Sequence, residues 1–162
     1  MQIRRAKPAD VPALGRLGAL LVKEHHEFDP QRFIAPTAET AQRYGWFLGT
    51  QLSKRDIVVL VAAEGDDVVG YTYAGVEGYD YMALRGPAGA FYDIVVDPSR
   101  RRRGIGRMLL DATLEALVAA GAPRVVLSTA QQNEAAQRLF TNAGFRRTMI
   151  EMTRELNGHT HN

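Results

Sequence analysis

The sharpest chemical signal in the chain is the run RRRGIG, from Arg101 to Gly106. Glycine at 104 and at 106 lets backbone approach a ligand with no Cβ in the way. Where a helix opens directly behind such a loop, its first turn offers unpaired N–H groups and the positive end of its dipole. That combination is an anion site suited to phosphate or pyrophosphate. Arg101, Arg102, Arg103 and Arg107 add forked cationic donors around it. Upstream, Asp93 stands inside the otherwise apolar and aromatic run FYDIVV. Aspartate is disfavoured in strand interiors. Burial there would raise its pKa toward neutrality, which suits a general base. The competing reading is an aspartate bonded to the amides of a neighbouring loop.

Other readings of the glycine–arginine run fit less well. A Walker loop requires G-x-x-x-x-G-K-[ST], and no such lysine is present. A dinucleotide fingerprint requires a third glycine where this chain has Leu109, and belongs after the first strand. Four arginines in one loop, with acidic residues elsewhere, match a basic nucleic-acid face poorly. A solvated charged turn is the plain structural alternative. His25 and His26 are adjacent, so they do not face one another on a helix, and no carboxylate cluster has clear metal spacing. No metal is expected.

The elements that must hold these residues follow from periodicity. The chain has 162 residues, 46% of them hydrophobic and 23% charged, with a net charge of +2. This is one domain's worth of ordinary globular composition, expected over 1–156 with a polar tail over 157–162. There is no cysteine, which excludes a disulfide framework, a thiolate nucleophile and cysteine-based metal sites. The polar N-terminus and the lack of a long apolar run give no expectation of a signal peptide or membrane helix. A cytoplasmic location is expected.

Ile3–Ala6 reads as a short strand. Pro8 and Pro12 open a helix that runs out near His26, and Thr37 is the expected N-cap of a second helix reaching Ser53. Ile57–Glu64 and Val68–Glu77 read as a hairpin and Phe91–Val96 as a buried strand. A helix follows to Ala120, stopped by Gly121 and Pro123. Arg124–Ala130 is a further buried strand, Gln132–Ala143 a fourth helix, and Phe145–Leu156 one or two final strands. The expected class is α/β, a mixed sheet with helices on both faces.

Two blocks carry a resemblance. VVDPSRRRRGIGRMLLDA (Val95–Ala112) resembles the cofactor-binding core of the GNAT superfamily of N-acetyltransferases, whose signature is Q/R-x-x-G-x-G/A after a strand. NEAAQRLFTNAGF (Asn133–Phe145) is similar to that family's later N-x-x-A helix. The resemblance implies the GNAT fold and acetyl-CoA, or a close acyl-CoA, as donor. It implies that the amides of Arg102, Arg103, Gly104, Ile105, Gly106 and Arg107 cradle the pyrophosphate. Arginines of the run, Arg101 among them, would be free to reach the 3′-phosphate. Ile94, Val95 and Val96 would pair with the pantetheine arm as an added strand. Asn133 would hydrogen-bond the pantetheine, its competing role being a helix N-cap.

Acetyl transfer to an amine needs the acceptor deprotonated, which costs roughly 4–5 kcal/mol at pH 7 for an alkylammonium of pKa about 10.4. It also needs a donor for the oxyanion, which the resemblance places near Val95. Asp93 is the candidate base, with Tyr92 and Glu77 in reserve. The family often has a tyrosine where this chain has Phe140, which has no proton to give. Water, Tyr92, Tyr71 or Tyr73 would then serve the departing thiolate. Tyr44, Trp46, Phe47 and Phe28 read as core and lid packing. Glu24, Glu27, Asp29 and Glu39 make the expected acceptor region acidic, which suits a cationic amine. The function implied is acetyl transfer from acetyl-CoA to a small-molecule amine, with a protein N-terminus or lysine as the other acceptor class. A non-catalytic acyl-CoA-binding module is the rival that Phe140 favours. Neither a nucleic acid nor a membrane is an expected partner, and a homodimer is compatible with the sequence.

Overall fold

The computed structural model describes residues 1–156, so the expected tail over 157–162 lies outside the described residues. The elements are β1 (Gln2–Arg5), α1 (Val11–Phe28), α2 (Thr40–Gln51), β2 (Ile57–Glu64), β3 (Asp67–Glu77), β4 (Ala88–Val96), α3 (Ile105–Ala119), β5 (Val125–Leu127) and α4 (Glu134–Asn142). The sheet order follows the chain, β1 to β5. Every pairing is antiparallel except β4 with β5, which is parallel. A parallel neighbour requires a crossover, and α3 supplies it.

Alternation along β2 divides the core in two. Val59 and Val61 join Leu14, Leu17 and Leu48 beneath α1 and α2. Val58, Leu60 and Ala62 meet Ile105, Leu109 and Leu117 of α3 on the other face. Phe91, Leu110 and Phe140 form a third cluster that seats α4. The expected mixed sheet with helices on both faces is the observed architecture. The α1–α2 pair is unusually close. A Cβ on Gly15 would stand 2.3 Å from the Ala41 carbonyl oxygen, and one on Gly18 only 2.2 Å from the Tyr44 ring. Glycine at both positions therefore lets Tyr44 pack directly against α1.

Several element ends shift by a few residues from the sequence expectation, β4 among them, which begins at Ala88 and not at Phe91. Three further differences have a clear physical reason. Thr37 does not cap α2. Its hydroxyl accepts from the Glu39 N–H at 3.3 Å, Glu39 takes the cap position, and the helix starts at Thr40. The fifth strand is three residues long, because its ladder with β4 ends at the Phe91–Leu127 pair. Residues 145–156 alternate as a strand should, yet no strand forms there. Alternation makes a strand only where a neighbour completes the ladder, and the described residues offer it none.

One buried polar contact locks α3 to the sheet. The Thr113 hydroxyl donates to the Leu109 carbonyl at 2.7 Å, so the Thr72 hydroxyl must donate to Thr113 Oγ1, also at 2.7 Å. Both residues are fully buried. Thr113→Val should cost about 1–3 kcal/mol, because it strands the Thr72 hydroxyl. Thr72→Val should cost less, since Thr113 keeps its acceptor, and the double variant should match Thr72→Val. Urea midpoints check the ordering. Equal and additive costs would contradict it.

Candidate functional site

The site begins with a bulge in β4. Tyr73 pairs with Asp93 and Ala74 with Phe91, which leaves Tyr92 with no partner on β3. One extra residue reverses the side-chain alternation. Phe91 consequently packs toward α3 and α4, while Val95 packs beneath α1 and α2. Asp93 shares the face of Val95. Tyr92 lies on that face too, its ring 4.7 Å from Tyr73.

Asp93 is 9% exposed. Its Oδ2 accepts from the Tyr44 hydroxyl at 2.6 Å and from the Tyr71 hydroxyl at 2.9 Å. Burial pushes its pKa above the ordinary carboxylate range, while the two hydroxyl donors and His25 pull the other way. Burial and the Asp93 charge hold both tyrosines above their usual pKa, so they remain donors. The bonding partners are thus two tyrosines from α2 and β3, not the loop amides weighed as the alternative. Tyr92 donates instead to Glu77, which also pairs with Arg85. Burial, then that hydrogen bond, raises the Tyr92 pKa. Tyr73 donates to Gln51 at 3.1 Å.

His25, on the last turn of α1, stands in the same cavity wall as Asp93. Its Nδ1 lies 2.8 Å from the Leu21 carbonyl oxygen. A carbonyl can only accept, so Nδ1 carries the proton and Nε2 of the neutral ring is a bare acceptor. Phe28 and Phe33 hold the ring edge-on at 5.6 and 5.1 Å.

The glycine–arginine loop turns a row of backbone N–H groups outward. Asp97 accepts from the Ser99 N–H at 3.0 Å and starts a short 3-10 turn over Pro98–Arg100. Arg102 and Gly104 both have left-handed backbone, at φ 65° and 78°. The first ladder bond of α3 runs from the Met108 N–H to the Gly104 carbonyl at 3.1 Å. Among the described residues, the seven N–H groups from Arg101 to Arg107 make no hydrogen bond. The arginine side chains are less free than expected. Arg100 pairs with Glu64 and Asp67, Arg101 with Glu24 at 2.5 Å, Arg103 with Glu64 at 3.2 Å and Arg107 with Asp111 at 2.9 Å. Arg102 alone of the five has no carboxylate within reach among the described residues.

A cavity of about 900 Å³ joins these parts. It opens where β4 and β5 separate beyond Phe91 and Leu127. Ile94, Val95 and Val96 form one wall, and Arg101, Arg102, Gly104, Ile105 and Gly106 one end. Asp93 and Tyr92 lie along it, with Asn133 and Phe140 opposite; Arg103 and Arg107 stand outside its wall. Asp97 donates from its N–H to Val69, so alternation turns the Val95 amide toward β3 as well. The outward amides are those of Ile94 and Val96, so of the strand positions near Val95 it is these two, and not Val95 itself, that face the cavity side. The Val96 carbonyl already accepts from Arg101 Nε at 3.1 Å. Asn133 caps α4, its Oδ1 accepting from Ala136 at 3.1 Å, which leaves its NH₂ as a donor. Phe140 is 6% exposed and stacks edge-on with Phe91 and Phe145.

The expected acidic acceptor region is largely compensated. Glu24 holds Arg101, Glu27 pairs with Lys23, and Asp29 accepts from the amides of Gln31 and Arg32. The cavity there is walled by Leu21, Phe28, Phe33 and Ile34 around His25. Trp46 is 70% exposed and packs in no core. Tyr44 and His25 were not legible as site residues. Each comes from a different helix, and no local pattern ties either to Asp93.

Comparison with known proteins places the chain. It is 28% identical over 150 residues to the uncharacterized N-acetyltransferase YhfO of Bacillus subtilis, covering 90% of this chain and 89% of that protein. It is 38% identical over 80 residues to a mycothiol acetyltransferase of Thermobispora bispora, where the match covers 49% of this chain and 25% of that protein. The chain thus spans about a quarter of that relative's length. A mutant of the BH1408 protein from Bacillus halodurans superimposes with a TM-score of 0.80 at 21% identity, over 96% of this chain and 99% of that one. The model of the acetyltransferase (GNAT) family matches residues 20–145, and the chain belongs to that family.

Proposed function

We propose that the protein transfers an acetyl group from acetyl-CoA to a primary amine of a small molecule. The observation that carries this reading is the continuity of one cavity, from the unpaired amides of Arg101–Arg107 past the outward edge of β4 to Asp93. The fit to acetyl-CoA is good on three counts. Seven amides suit a pyrophosphate. Ile94 and Val96 offer an unpaired strand edge to a pantetheine arm. A Cβ built on Gly104 meets nothing within 4 Å, so the space in front of the loop is open. The mycothiol acetyltransferase relatives and the apolar, aromatic wall of Leu21, Phe28, Phe33 and Ile34 support a small-molecule acceptor.

When bound, acetyl-CoA supplies an activated acyl carbon, to which the acceptor nitrogen bonds as the thiolate leaves. Asp93 takes the acceptor's proton. Its raised pKa brings it closer to the pH at which a base works best. Tyr44 and Tyr71 fix its Oδ2, leaving Oδ1 for the acceptor, and act as positioning residues. The Ile94 or Val96 amide is the donor for the oxyanion. Phe140 gives no proton, and the Tyr92 proton is directed at Glu77, so solvent protonates the thiolate. A thiol of ordinary pKa about 8.5 leaves tolerably without an acid.

Asp93→Asn separates catalysis from stability. Turnover should fall by ~10²–10⁴-fold, with acetyl-CoA affinity nearly unchanged and much of the loss recovered at high pH, where free amine is plentiful. Full activity near neutral pH would remove Asp93 as the base. A folded-state carboxylate pKa raised by burial means the native state holds the proton more tightly than the unfolded chain. Its contribution is present at acid pH and is lost as pH rises through the folded value. The variant should therefore melt higher than wild type at pH 7–8, with the gap closing on acidification. A melting temperature lower at pH 8 would contradict the burial account.

Acetyl-CoA should raise the melting temperature of the wild type, by the equivalent of about 2.7 kcal/mol at one hundred times its Kd. Gly104→Val should abolish the shift. Gly121→Val is the control, because Gly121 also has positive φ, at 91°, and open space around it, but lies at the far end of α3. It should be equally strained and keep the shift. Loss of the shift in both variants, or in neither, would contradict the cradle.

A further inference from the structure

One end of the cavity is rich in proton acceptors and poor in donors. Leu21, Glu24, His25 and Phe28 fall at i, i+3, i+4 and i+7 on α1, so one face of that helix looks into the cavity. Phe33 and Ile34 of the following loop close the same end. His26 does not line the cavity but holds this loop, its Nδ1 lying 2.9 Å from the Phe33 carbonyl oxygen. The apolar wall is therefore in place before a ligand arrives.

The side-chain donors at this end are each committed elsewhere. Tyr92 donates to Glu77, His25 Nδ1 to the Leu21 carbonyl, and Arg101 to Glu24 and to the Val96 carbonyl. Asp93 Oδ1 and His25 Nε2 remain open, two acceptors in one wall. They are near enough for the His25 charge to act on the Asp93 carboxyl. A head group that satisfies two acceptors must itself be a donor, as an ammonium or amine is. A carboxylate beside it would face Asp93 and Glu24 without a free donor of its own, which is costly among apolar walls. The rings of Phe28 and Phe33 suit an apolar or aromatic body.

The proton count gives the second acceptor work to do. An alkylammonium has three N–H bonds and the amide product has one, so two protons leave nitrogen. Asp93 Oδ1 takes the first, which frees the lone pair. The new N–C bond makes nitrogen four-bonded and cationic again, so a second proton must go as the C–S bond breaks and its electron pair passes to sulfur. Oδ2 of Asp93 is occupied by Tyr44 and Tyr71, and Oδ1 already carries the first proton.

We propose that the acceptor is a primary amine with an apolar or aromatic body and no carboxylate, its nitrogen lying between Asp93 Oδ1 and His25 Nε2, and that His25 takes the second proton. Both groups return their protons to solvent, which gives one to the departing thiolate, so each turnover releases one proton net. The inference rests on the acetyl-transfer reading and adds to it an acceptor class and a second base.

The test is acceptor choice with chemical rescue. Wild type should acetylate phenethylamine with a kcat/KM about 10²-fold or more above that for phenylalanine, which adds only a carboxylate. His25→Ala should lower kcat for phenethylamine by ~10²–10⁴-fold with acetyl-CoA affinity unchanged. Added imidazole should restore much of that loss, whereas pyrazole, of the same size but far less basic, should not. His25→Gln keeps a side-chain N–H for the Leu21 carbonyl but cannot take a proton near neutral pH. It should lose kcat equally and keep the wild-type melting temperature, which covers a His25→Ala chain that folds poorly. Wild-type turnover in His25→Gln, equal rescue by pyrazole, or phenylalanine used as well as phenethylamine would each overturn the proposal and leave acetyl transfer standing. A wild type that forms no amide from any amine would overturn both.

Discussion

β4 has two jobs that a regular strand cannot do together. Its first half must hold β5 in a parallel ladder, which seats α3 and α4. Its second half must leave the same edge bare, so that a ligand can run along it. The bulge at Tyr92 divides the halves. An inserted residue bends the strand and increases local twist, and the β4–β5 ladder ends at Phe91, immediately before it. The same residue reverses alternation, so the run that turns Phe91 into the α4 cluster turns Asp93 beneath α1 and α2. The cavity, its free strand edge and the side-chain carboxyl in its wall all follow from that single inserted residue.

A carboxylate at this position is a cost to the fold. It lies in a core otherwise made of Leu14, Leu17, Val61 and Val95, where ionisation is opposed by lost hydration. Two tyrosine hydroxyls on Oδ2 offset part of this cost, and neither can lose its proton easily while the carboxylate is charged. Getting Tyr44 there requires α1 and α2 to approach until Gly18 meets the ring. The glycines of the N-terminal helices thus belong to the site's construction, though none of them lines the cavity. Burial that weakens the fold at neutral pH is the same burial that raises the Asp93 pKa, the direction its proposed role as a base needs.

Much of this was legible in the sequence because it is local. Periods of two and of 3.6 residues located every helix and the first four strands, and Gly104 and Gly106 between a strand and a helix marked the anion loop. What escaped depends on contacts between distant elements. The bulge has no signature, since nothing in FYDIVV distinguishes a regular strand from one with Tyr92 displaced. The outward amides fall at Ile94 and Val96, on either side of the Val95 position near which the resemblance placed the oxyanion donor. Tyr44 and His25 read as ordinary helical packing, because their relation to Asp93 is tertiary. The 145–156 segment read as one or two strands and forms none, because pattern describes only one side of a ladder and cannot name its partner.

The arginine run illustrates how composition misleads about charge. Four of its five side chains are tied to Glu24, Glu64, Asp67 or Asp111, so the local field is far weaker than the sequence suggests. Exposed pairs of this kind are each worth only about 0–1 kcal/mol, and an arriving phosphate can exchange for a carboxylate at little cost. Glu64 and Asp67 flank the β2–β3 turn, and Glu24 lies on α1, so the pairs tie the loop to two separate parts of the fold. The side chains hold the loop in shape, and in the proposed function the fixed array of amides does the recognising. A loop whose charge is already satisfied attracts polyanions weakly, and its backbone donors remain aimed at one anion of the right size.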